Sequence, residues 1–500
     1  MPRGFPGPNG RLPATLAALA ALLLGVLHTA SFAPTGLWAL EPLALAGLFW
    51  LVDGAAPRRA AALGFAFGLG WLSSGLWWLY ISMHDYGGLP GVLAVGAVLA
   101  LAAFLSLDYA LALLLAARLA RALDGERQRA WRAVLLASAW LLAELARASL
   151  FTGFPWIAGG YAHSVGPLAA FAPWIGVYGI GAVSALLAAA LALRAWRLLN
   201  GVIVVVIAAQ FVPHDFTQPA GALDVALVQP AIAQDLKFNA DLMDAHLEAL
   251  ARQIESARGD FVVTPESVVP LPLAALDPDY LARLKKTGRP LLLGTFLGDD
   301  RQGYVNTMVG LGTAESYAYG KRHLLPFGEF VPTGFHWFVD LLGIPMVDQA
   351  SGRNTAPLVV NGQRLRPLIC YESLFGEDFA DSATGPQPAT IYVNVSNLAW
   401  FGTLMVQDQD LQFAQMRALE FQRPFVRSTN TGATAVIDAA GRITARLPAG
   451  VPGVLQAHVE GRSGSTPYAR WLAACGLWPL LALAIAGLAV AVMRRHGEVH

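Results

Sequence analysis

The sequence predicts an α-helical membrane domain joined to an α/β layered domain. Hydrophobic residues make up 55% of the 500 residues and charged residues only 14%, whereas soluble globular domains carry about 25% charged residues. The long apolar runs lie before residue 213 and after residue 467, with a segment of ordinary polarity between them. We therefore divide the chain into a transmembrane domain at 1–217, a second domain at 218–462, and a C-terminal transmembrane helix with a cytoplasmic tail at 463–500.

The membrane domain is predicted from its apolar runs, because a transmembrane helix needs about 20 predominantly apolar residues. Seven runs precede the polar segment and one follows it, which predicts about eight transmembrane helices. The runs are 13–32, 37–53, 60–82, 89–117, 133–150, 166–193, 198–212 and 468–493. The first run also has features of a signal peptide, although the later spans make a cleaved signal unnecessary.

The orientation is predicted from the arginines, since short cytoplasmic loops are enriched in Lys and Arg. They occur at both termini and in alternate loops, whereas the loops SFAPTG and SMHDYGGLPG carry none and Arg147 is one exception. The arginines concerned are Arg3, Arg11, Arg58, Arg59, Arg118, Arg121, Arg127, Arg129, Arg132, Arg194, Arg197, Arg494 and Arg495. Both termini are thus predicted to be cytoplasmic, and the polar segment to lie on the outer side.

Three features of the membrane domain have alternative interpretations. Asp108 and Glu144 are ionisable groups in or near apolar runs, and such groups are by default site hypotheses. A transport path remains a weak idea, because no basic row faces them. The aromatic, glycine-rich loop 151–167 either anchors at lipid headgroups or shapes a lipid entry.

The polar segment alternates short apolar strands with amphipathic helices. Helical periodicity appears in KFNADLMDAHLEALARQIESA and DLQFAQMRALEFQ, and Asn361-Gly362 is a strong hairpin signal. The predicted strands are DVALVQP, DFVVTPE, RPLLLGTFLG, YVNTMVGLG, PLVVNGQRLRPLICYE, ATIYVNVSN, FVRSTNTGATAVID and GVLQAHVEG. Strands interleaved with helices predict sheets whose faces are covered by helices.

Charge and cysteine content exclude several classes of protein. The chain has 34 basic and 34 acidic residues, whereas nucleic-acid-binding proteins concentrate positive charge to neutralise phosphates. Its two cysteines argue against a disulfide framework or a Cys-rich metal site. We predict no nucleic-acid partner, no cofactor and no metal.

Three polar side chains stand at predicted strand ends, where α/β domains collect their reacting groups. Glu266 closes FVVTPE, Lys321 follows YAYG, and Cys370 closes RPLIC. Taken singly, each has an ordinary interpretation as a solvated loop residue or, for the cysteine, as core packing. Together they suit thioester chemistry, because a lysine favours the thiolate and a glutamate accepts its proton. Glu329 offers a second carboxylate that would hold the lysine.

The motifs GKRHLLPFGEFVP and PLICYES, preceded by the glutamate of FVVTPE, resemble the Glu-Lys-Cys pattern of the nitrilase, or carbon–nitrogen hydrolase, superfamily. With seven predicted spans before and one after, the chain resembles one branch of it, the apolipoprotein N-acyltransferases of bacterial membranes. Further matches are WWLYISMHDYGGLPG, FTGFPWIAGGYAHSVGPL, ALVQPAIAQDLKF, NVSNLAWFG and QMRALEFQRPFVRSTNTGATAVID. They cover nearly the whole chain.

The resemblance implies an αββα sandwich in the second domain and a ping-pong acyl transfer. Cys370 would take an acyl chain from a phospholipid as a thioester, and Glu266 would remove a proton from the α-amine of a diacylglyceryl-cysteine lipoprotein that then accepts the chain. Lys321 would stabilise the oxyanion. The resemblance further implies that Glu329, Tyr371 and Glu372 support the triad and that Asn306, Phe327, Trp400 and Phe401 line the pocket. It also implies a monomer in the inner membrane with its catalytic domain in the periplasm.

Two departures and two rival functions accompany this hypothesis. Leu398 stands where many relatives carry Asp, and Asp410 where His is common, so local loop geometry and donor preference are open. One rival is a membrane-tethered amidase or nitrilase with water as acceptor. The other is a transporter or receptor whose outer domain only binds ligand. Neither the preferred acyl chain nor the headgroup follows from the sequence.

Overall fold

The computed structural model describes residues 12–121, 123, 128–299, 301, 303–334 and 348–497. The chain divides into two compact units, one formed by 1–80, 89–214 and 475–500 and the other by 81–88 and 215–474. Arg3, Arg11 and Arg127, which entered the orientation argument, lie outside the described residues.

The described part of the first unit consists of helices joined by turns and short irregular segments. Apolar side chains cover most faces of these helices, as expected where lipid replaces water around them. Its α-helices are Ala14–Thr29, Leu40–Val52, Pro57–Gly75, Gly91–Ala120, Arg129–Ser149, Ala172–Ala192, Trp196–Ala209 and Trp478–Gly497. Short 3₁₀ segments at Leu150–Thr152, Gly159–His163 and Pro167–Phe171 form the aromatic loop.

Three helices in the described part are long and apolar enough to cross a membrane: Gly91–Ala120, Arg129–Thr152 and Pro167–Ala192. The number rises to as many as five if each of two bent pairs is one span: Pro57–Gly75 with Leu79–Tyr86, and Pro467–Cys475 with Trp478–Val490. Three further apolar helices are shorter, at Ala14–Thr29, Leu40–Val52 and Trp196–Ala209. A 16-residue helix spans about 24 Å at 1.5 Å per residue, less than a hydrocarbon core of about 30 Å. The predicted count of about eight transmembrane helices therefore remains a prediction. An apolar run can be longer than the helix it contains, because it can include the turn that ends the helix.

The second unit contains two six-stranded sheets, ordered β12-β1-β2-β3-β4-β5 and β11-β10-β9-β8-β7-β6. The pairs β1/β2, β2/β3, β7/β8 and β8/β9 are parallel, and the other pairs are antiparallel. The strands are β1 Thr217–Gln229, β2 Phe261–Val263, β3 Leu291–Asp299, β4 Gly303–Leu311, β5 Tyr317–Gly320, β6 Leu358–Val360, β7 Gln363–Ile369, β8 Ile391–Ser396, β9 Phe425–Thr429, β10 Ala435–Ile437, β11 Ile443–Arg446 and β12 Gly453–Gly464.

The two sheets pack face to face through one apolar core. Side chains from both sheets meet there, among them Val263, Ile369 and Val395. The outer face of the first sheet is covered by helices Met243–Ser256 and Pro278–Lys285. The outer face of the second sheet is covered by helices Glu377–Ala383 and Val406–Phe421. An aromatic cluster joins the helices to the sheet and consists of Phe379, Tyr392, Phe421 and Phe425. The predicted αββα layering is thus confirmed.

The strand predictions hold except where a strand is short or a run contains a turn. Asn361-Gly362 forms the predicted hairpin between β6 and β7, and both residues have positive φ, 48° and 79°, as a two-residue turn of this type requires. The run FVRSTNTGATAVID is two strands, β9 and β10, rather than one. The four-residue strand β11 was not predicted, and β5 was predicted only as the strand end YAYG before Lys321, because so few residues show no clear alternation.

Topology brings several carboxyl ends of strands to one edge of the sandwich. In the first sheet β2 and β3 are parallel, and β5 runs in the same direction because two antiparallel pairings separate it from β3. In the second sheet β7, β8 and β9 are mutually parallel. Ligands of open α/β sheets bind at such edges. The residues that follow β2, β5 and β7 are therefore positioned to share a site.

Candidate active site

Glu266 follows β2 and lies at the centre of a buried polar cluster. Its carboxylate accepts hydrogen bonds from Asn306 Nδ2 at 2.8 Å, from the backbone N–H of Asn397 at 2.9 Å, and from Lys321 Nζ at 3.4 Å. Only 6% of the residue is exposed. All three neighbours donate to this carboxylate, so hydrogen bonds fix its orientation.

Lys321 follows β5 and bridges two carboxylates. Its Nζ lies 2.7 Å from Glu329 Oε1 as well as 3.4 Å from Glu266 Oε1, with 1% of the residue exposed. Burial alone would lower the pKa of this ammonium, but the charges of Glu329 and Glu266 outweigh it and raise the pKa. Lys321 is thus held as a fixed positive charge. Glu329 also accepts from the backbone N–H of Leu325 at 2.8 Å, which ties the loop after β5 to the lysine.

Cys370 occupies the sharp turn between β7 and a 3₁₀ helix at Cys370–Leu374. Its φ of 53° lies in the left-handed region, where a non-glycine residue costs about 1–3 kcal/mol and is commonly found at functional sites. The residue is half-buried, whereas the other cysteine, Cys475, is exposed. The turn therefore places Cys370 at the sheet edge, where it packs against the margin of the core.

The Cys370 thiol interacts electrostatically with both Glu266 and Lys321. Burial raises its pKa, the charge of Glu266 raises it further, and Lys321 and a hydrogen bond with Ser396 lower it, with a net rise. Burial and the carboxylate together therefore outweigh the lysine. The raised pKa disfavours the thiolate in this site.

Glu372 joins the two segments that carry Lys321 and Cys370. Its carboxylate accepts from Tyr319 Oη at 2.8 Å, from the N–H groups of Arg322 and His323 at 2.7 and 3.2 Å, and from the Ile369 N–H at 2.6 Å. It is fully buried, and burial followed by the charge of Asp378 raises its pKa. This carboxylate therefore braces β5 against the turn after β7.

The remaining residues expected at the site divide into polar and apolar positions. Asn306 contacts the carboxylate of Glu266, and Tyr371 is buried with its ring against Phe375. Phe327 and Trp400 are 48% and 37% exposed, and Phe401 is half-buried beside Trp400 in the segment Leu398–Phe401. Apolar side chains this exposed are available to contact an apolar ligand.

Two positions that depart from the family pattern are both buried. Leu398 is 2% exposed and packs in the turn after β8. Asp410 forms an ion pair with Arg427 on β9, and burial raises the pKa of this carboxyl although Arg427 acts against the shift. The charge at 410 is therefore compensated within the core.

Sequence reasoning missed three buried residues that contact this cluster. Lys237 Nζ donates to Ser267 Oγ at 3.0 Å and to the Glu266 carbonyl at 3.5 Å. Asn397 donates its Nδ2 to Gln234 Oε1 at 2.8 Å and accepts from Asn430 Nδ2 at 3.0 Å. The signal for Asn397 was its place at the end of the predicted strand ATIYVNVSN, whereas Asn430 lies inside the predicted run FVRSTNTGATAVID, directly after the point where β9 ends. Nothing in the sequence marked Lys237, which lies in a short helix at Gln234–Lys237.

The ionisable residues singled out in the first unit have a different environment. Glu144 accepts hydrogen bonds from Tyr109 Oη and from the Gly159 N–H, and pairs with Arg147 at 3.4 Å. Arg147 in turn donates to the carbonyls of Phe154 and Trp156 at 2.9 and 2.8 Å. Glu144 and Arg147 therefore hold the aromatic loop in place. Within the described ranges, no group of three or more His, Cys, Asp or Glu residues has an arrangement that would hold a metal ion.

Comparison with known proteins identifies relatives along nearly the whole chain. The family described as "Apolipoprotein N-acyltransferase N-terminal domain" matches residues 24–190, and "Carbon-nitrogen hydrolase" matches residues 224–468. An apolipoprotein N-acyltransferase of Ralstonia nicotianae is 44% identical over 495 residues, which cover 96% of this chain and 94% of the relative. One from Verminephrobacter eiseniae is 45% identical over 504 residues, covering 91% and 92%. The resemblance drawn from the motifs is confirmed.

Proposed function

This chain belongs to the apolipoprotein N-acyltransferase family, and from that premise we propose that it transfers a fatty acyl chain from a membrane phospholipid to the N-terminal diacylglyceryl-cysteine of lipoproteins. The acceptor is the α-amino group of that cysteine. The observation that carries the proposal is the convergence of a buried carboxylate, a buried ammonium and a strained cysteine at one sheet edge. Each of the three has a defined role in the proposed chemistry.

In the first half-reaction the sulfur of Cys370 attacks the acyl carbonyl carbon of the phospholipid. Glu266 takes the thiol proton as the carbon–sulfur bond forms, and Lys321 together with N–H groups after Cys370 stabilises the negative oxygen. The carbon–oxygen bond to the glycerol then breaks, and Glu266 returns the proton to that oxygen. The products are a lysophospholipid and an acyl thioester on Cys370.

In the second half-reaction the neutral α-amine of the lipoprotein attacks the thioester carbonyl. Glu266 removes a proton from the amine nitrogen, the carbon–sulfur bond breaks, and the sulfur recovers a proton to regenerate the thiol. The product carries an amide-linked third acyl chain. Loss of one oxyanion donor typically costs about 10²–10³ in rate, so the fixed charge of Lys321 is expected to matter in both halves.

A membrane location suits this pair of substrates. Extracting an acyl chain into water costs about 0.8 kcal/mol per CH₂, and a site at the bilayer surface avoids that cost. We propose a multi-pass monomer of the inner membrane, with both termini cytoplasmic and a periplasmic catalytic domain at 218–462 between membrane segments at 1–217 and 463–500. Exposed Phe327 and Trp400, with Phe401, would contact the acyl chain.

The test is a two-substrate assay with the full-length protein in detergent. With a defined phospholipid and no acceptor, we expect one equivalent of lysophospholipid per enzyme, followed by a stop. Adding a synthetic diacylglyceryl-cysteine peptide should restart release and yield the triacylated peptide. Transfer that occurs only when both substrates are present together would contradict the ping-pong mechanism.

The rival hydrolase gains support from the carbon–nitrogen hydrolase match over residues 224–468. It differs in its acceptor, because water would replace the amine. Continuous release of free fatty acid, or hydrolysis of small amides without any thioester from phospholipid, would favour it over acyl transfer.

A further inference from the structure

Lys237 is a buried cation that the chemistry described above does not use. It is 2% exposed and forms the last residue of the short helix Gln234–Lys237. Burying a lysine is unfavourable unless its environment or its function compensates. Its two hydrogen-bond acceptors are neutral oxygens, Ser267 Oγ and the Glu266 carbonyl, so no direct ion pair within the described part of the chain explains its position.

The surrounding segment is fixed to the catalytic cluster at both ends. Gln234, three residues earlier on the same face, accepts from Asn397, whose backbone N–H donates to the Glu266 carboxylate. Ser267, the hydroxyl partner of Lys237, has a positive φ of 42°. The lysine therefore stabilises a strained turn that sets the direction of the Glu266 side chain.

A second cation would balance the charges of Glu266, Glu329 and Lys321. Glu266 and Glu329 share the single positive charge of Lys321, which leaves the trio with a net negative charge that opposes development of negative charge on sulfur. Lys237 interacts electrostatically with both Glu266 and Cys370. Asp235 on the same helix is exposed, so it screens the lysine weakly. Adding Lys237 makes this set of groups neutral.

We propose that Lys237 is a positioning residue of the acyl-transfer site, which holds the Glu266–Ser267 turn and supplies the second positive charge that acts on the Cys370 sulfur. The effect of Lys237 on acyl transfer rests on the proposed function. Its electrostatic effect on the Cys370 sulfur does not. Burial lowers the pKa of the Lys237 ammonium to about 8, although Glu266 and Cys370 act in the opposite direction. Since a lowered pKa means that folding disfavours the charged form, the charge of Lys237 reduces stability increasingly as the pH falls from about 10.5 to about 8, and fully below that.

The experiment measures alkylation of Cys370 by iodoacetamide as a function of pH, which needs no lipid substrate. All variants carry Cys475→Ala, so that a single thiol reacts, and the full-length protein is used in detergent. Lys237→Met removes the charge at similar size and Lys237→Arg keeps it, while Lys285→Met removes an exposed lysine as the matched control. Acyl-enzyme formation from micellar phosphatidylethanolamine is measured in parallel.

We expect Lys237→Met to slow alkylation at pH 7.5 by about threefold to tenfold, because losing a nearby positive charge raises the thiol pKa. It should slow acyl-enzyme formation in the same direction and leave the melting temperature equal or higher. Lys237→Arg should lie close to the parent, and Lys285→Met should match it.

An unchanged alkylation profile in Lys237→Met would overturn the inference, whatever happens to acylation. A lowered melting temperature with an unmoved profile would assign the lysine a structural role and would also overturn it. If no phospholipid acylates the parent protein, the proposed function fails, while the alkylation profile still decides the electrostatic role of Lys237.

Discussion

Two buried ion-pair clusters, one in each unit, show why burial of charge does not by itself make a catalytic site. In the first unit Arg147 pairs with Glu144 and donates to Tyr109, Phe154 and Trp156. In the second unit Lys321 lies between Glu266 and Glu329. Both lysine and arginine are almost completely inaccessible to solvent. The clusters therefore look equivalent if only burial and charge are considered.

The two clusters differ in the groups that surround the carboxylate. The Glu144 carboxylate is surrounded by donors that belong to helices and to the loop it holds. Glu266 is held by donors too, but it also interacts with the thiol of Cys370, which sits half-buried on a left-handed turn. A thiol that interacts electrostatically with both a carboxylate and an ammonium is the feature on which we base the proposed chemistry.

The largest expected effect comes from removing the nucleophile. Cys370→Ala should abolish acyl-enzyme formation and lower transfer by at least about 10³-fold, since the covalent route is lost. Acyl transfer to the lipopeptide is the measurement. Cys475→Ala, at an exposed site, is the control and should behave as the parent; residual transfer within tenfold in Cys370→Ala would remove the sulfur from the mechanism.

Replacing Glu266 separates its two effects on the Cys370 sulfur, which are removal of the thiol proton and the rise in the thiol pKa. Glu266→Gln should slow acyl-enzyme formation by about 10²–10⁴-fold, because no group takes the thiol proton. The same change should speed iodoacetamide alkylation at pH 7.5, since the charge of Glu266 raises the pKa of Cys370. The sign follows from that shift: a lower thiol pKa means more thiolate at fixed pH. The exposed Glu460→Gln is the control, and rates that change in the same direction would contradict the assignment.

Breaking the clamp in the first unit should affect stability rather than chemistry. Arg147→Met leaves Glu144 buried without its cation, which typically costs about 3–5 kcal/mol. The melting temperature in detergent should fall clearly, while acyl-enzyme formation per folded molecule stays within about twofold. Combining Arg147→Met with Glu144→Gln should recover part of the stability. If the folded Arg147→Met protein instead had a lower single-turnover rate, this cluster would be functional. The contrast between the two units would then not hold.

The smallest effect is expected at Asn306. Asn306→Ala removes one N–H donor from the Glu266 carboxylate, an interaction worth about 1–2 kcal/mol, so acyl-enzyme formation should slow roughly fivefold to thirtyfold. The single-turnover rate with phospholipid checks this. Asn200→Ala, on an exposed helix position, is the matched control, and a rate equal to that control would show that Asn306 does not orient the base.

Comparing the two units also shows how much of the structure could be predicted from the sequence. Strand ends were predictable from Val, Ile and Leu runs, and with them the positions of Glu266 and Cys370. The position of Lys321 was predicted by motif, although β5, the strand that orients it, is too short to show a period. Motif spacing could not reveal the direction of the Cys370 pKa shift, because that depends on burial and on the distance to Glu266.

Tertiary contacts account for the rest. Lys237 looks like an ordinary helical surface lysine in QDLKF, and only the fold brings it to Ser267. Glu144 looked like a functional residue because it lies in an apolar run, and the structure supplies the arginine and the backbone groups that satisfy it. Continuous apolar runs likewise suggested more long spans than the described helices provide, since hydropathy does not register the turn that ends a helix.

The most direct test of the central claim, that Cys370 carries the acyl chain, is the intact mass of the purified full-length protein before and after exposure to a single defined phospholipid. The account predicts one added acyl group per chain, mapped to the peptide containing Cys370, lost on treatment with hydroxylamine or with the acceptor lipopeptide. A protein that triacylates the lipopeptide while never gaining mass on Cys370 would contradict it.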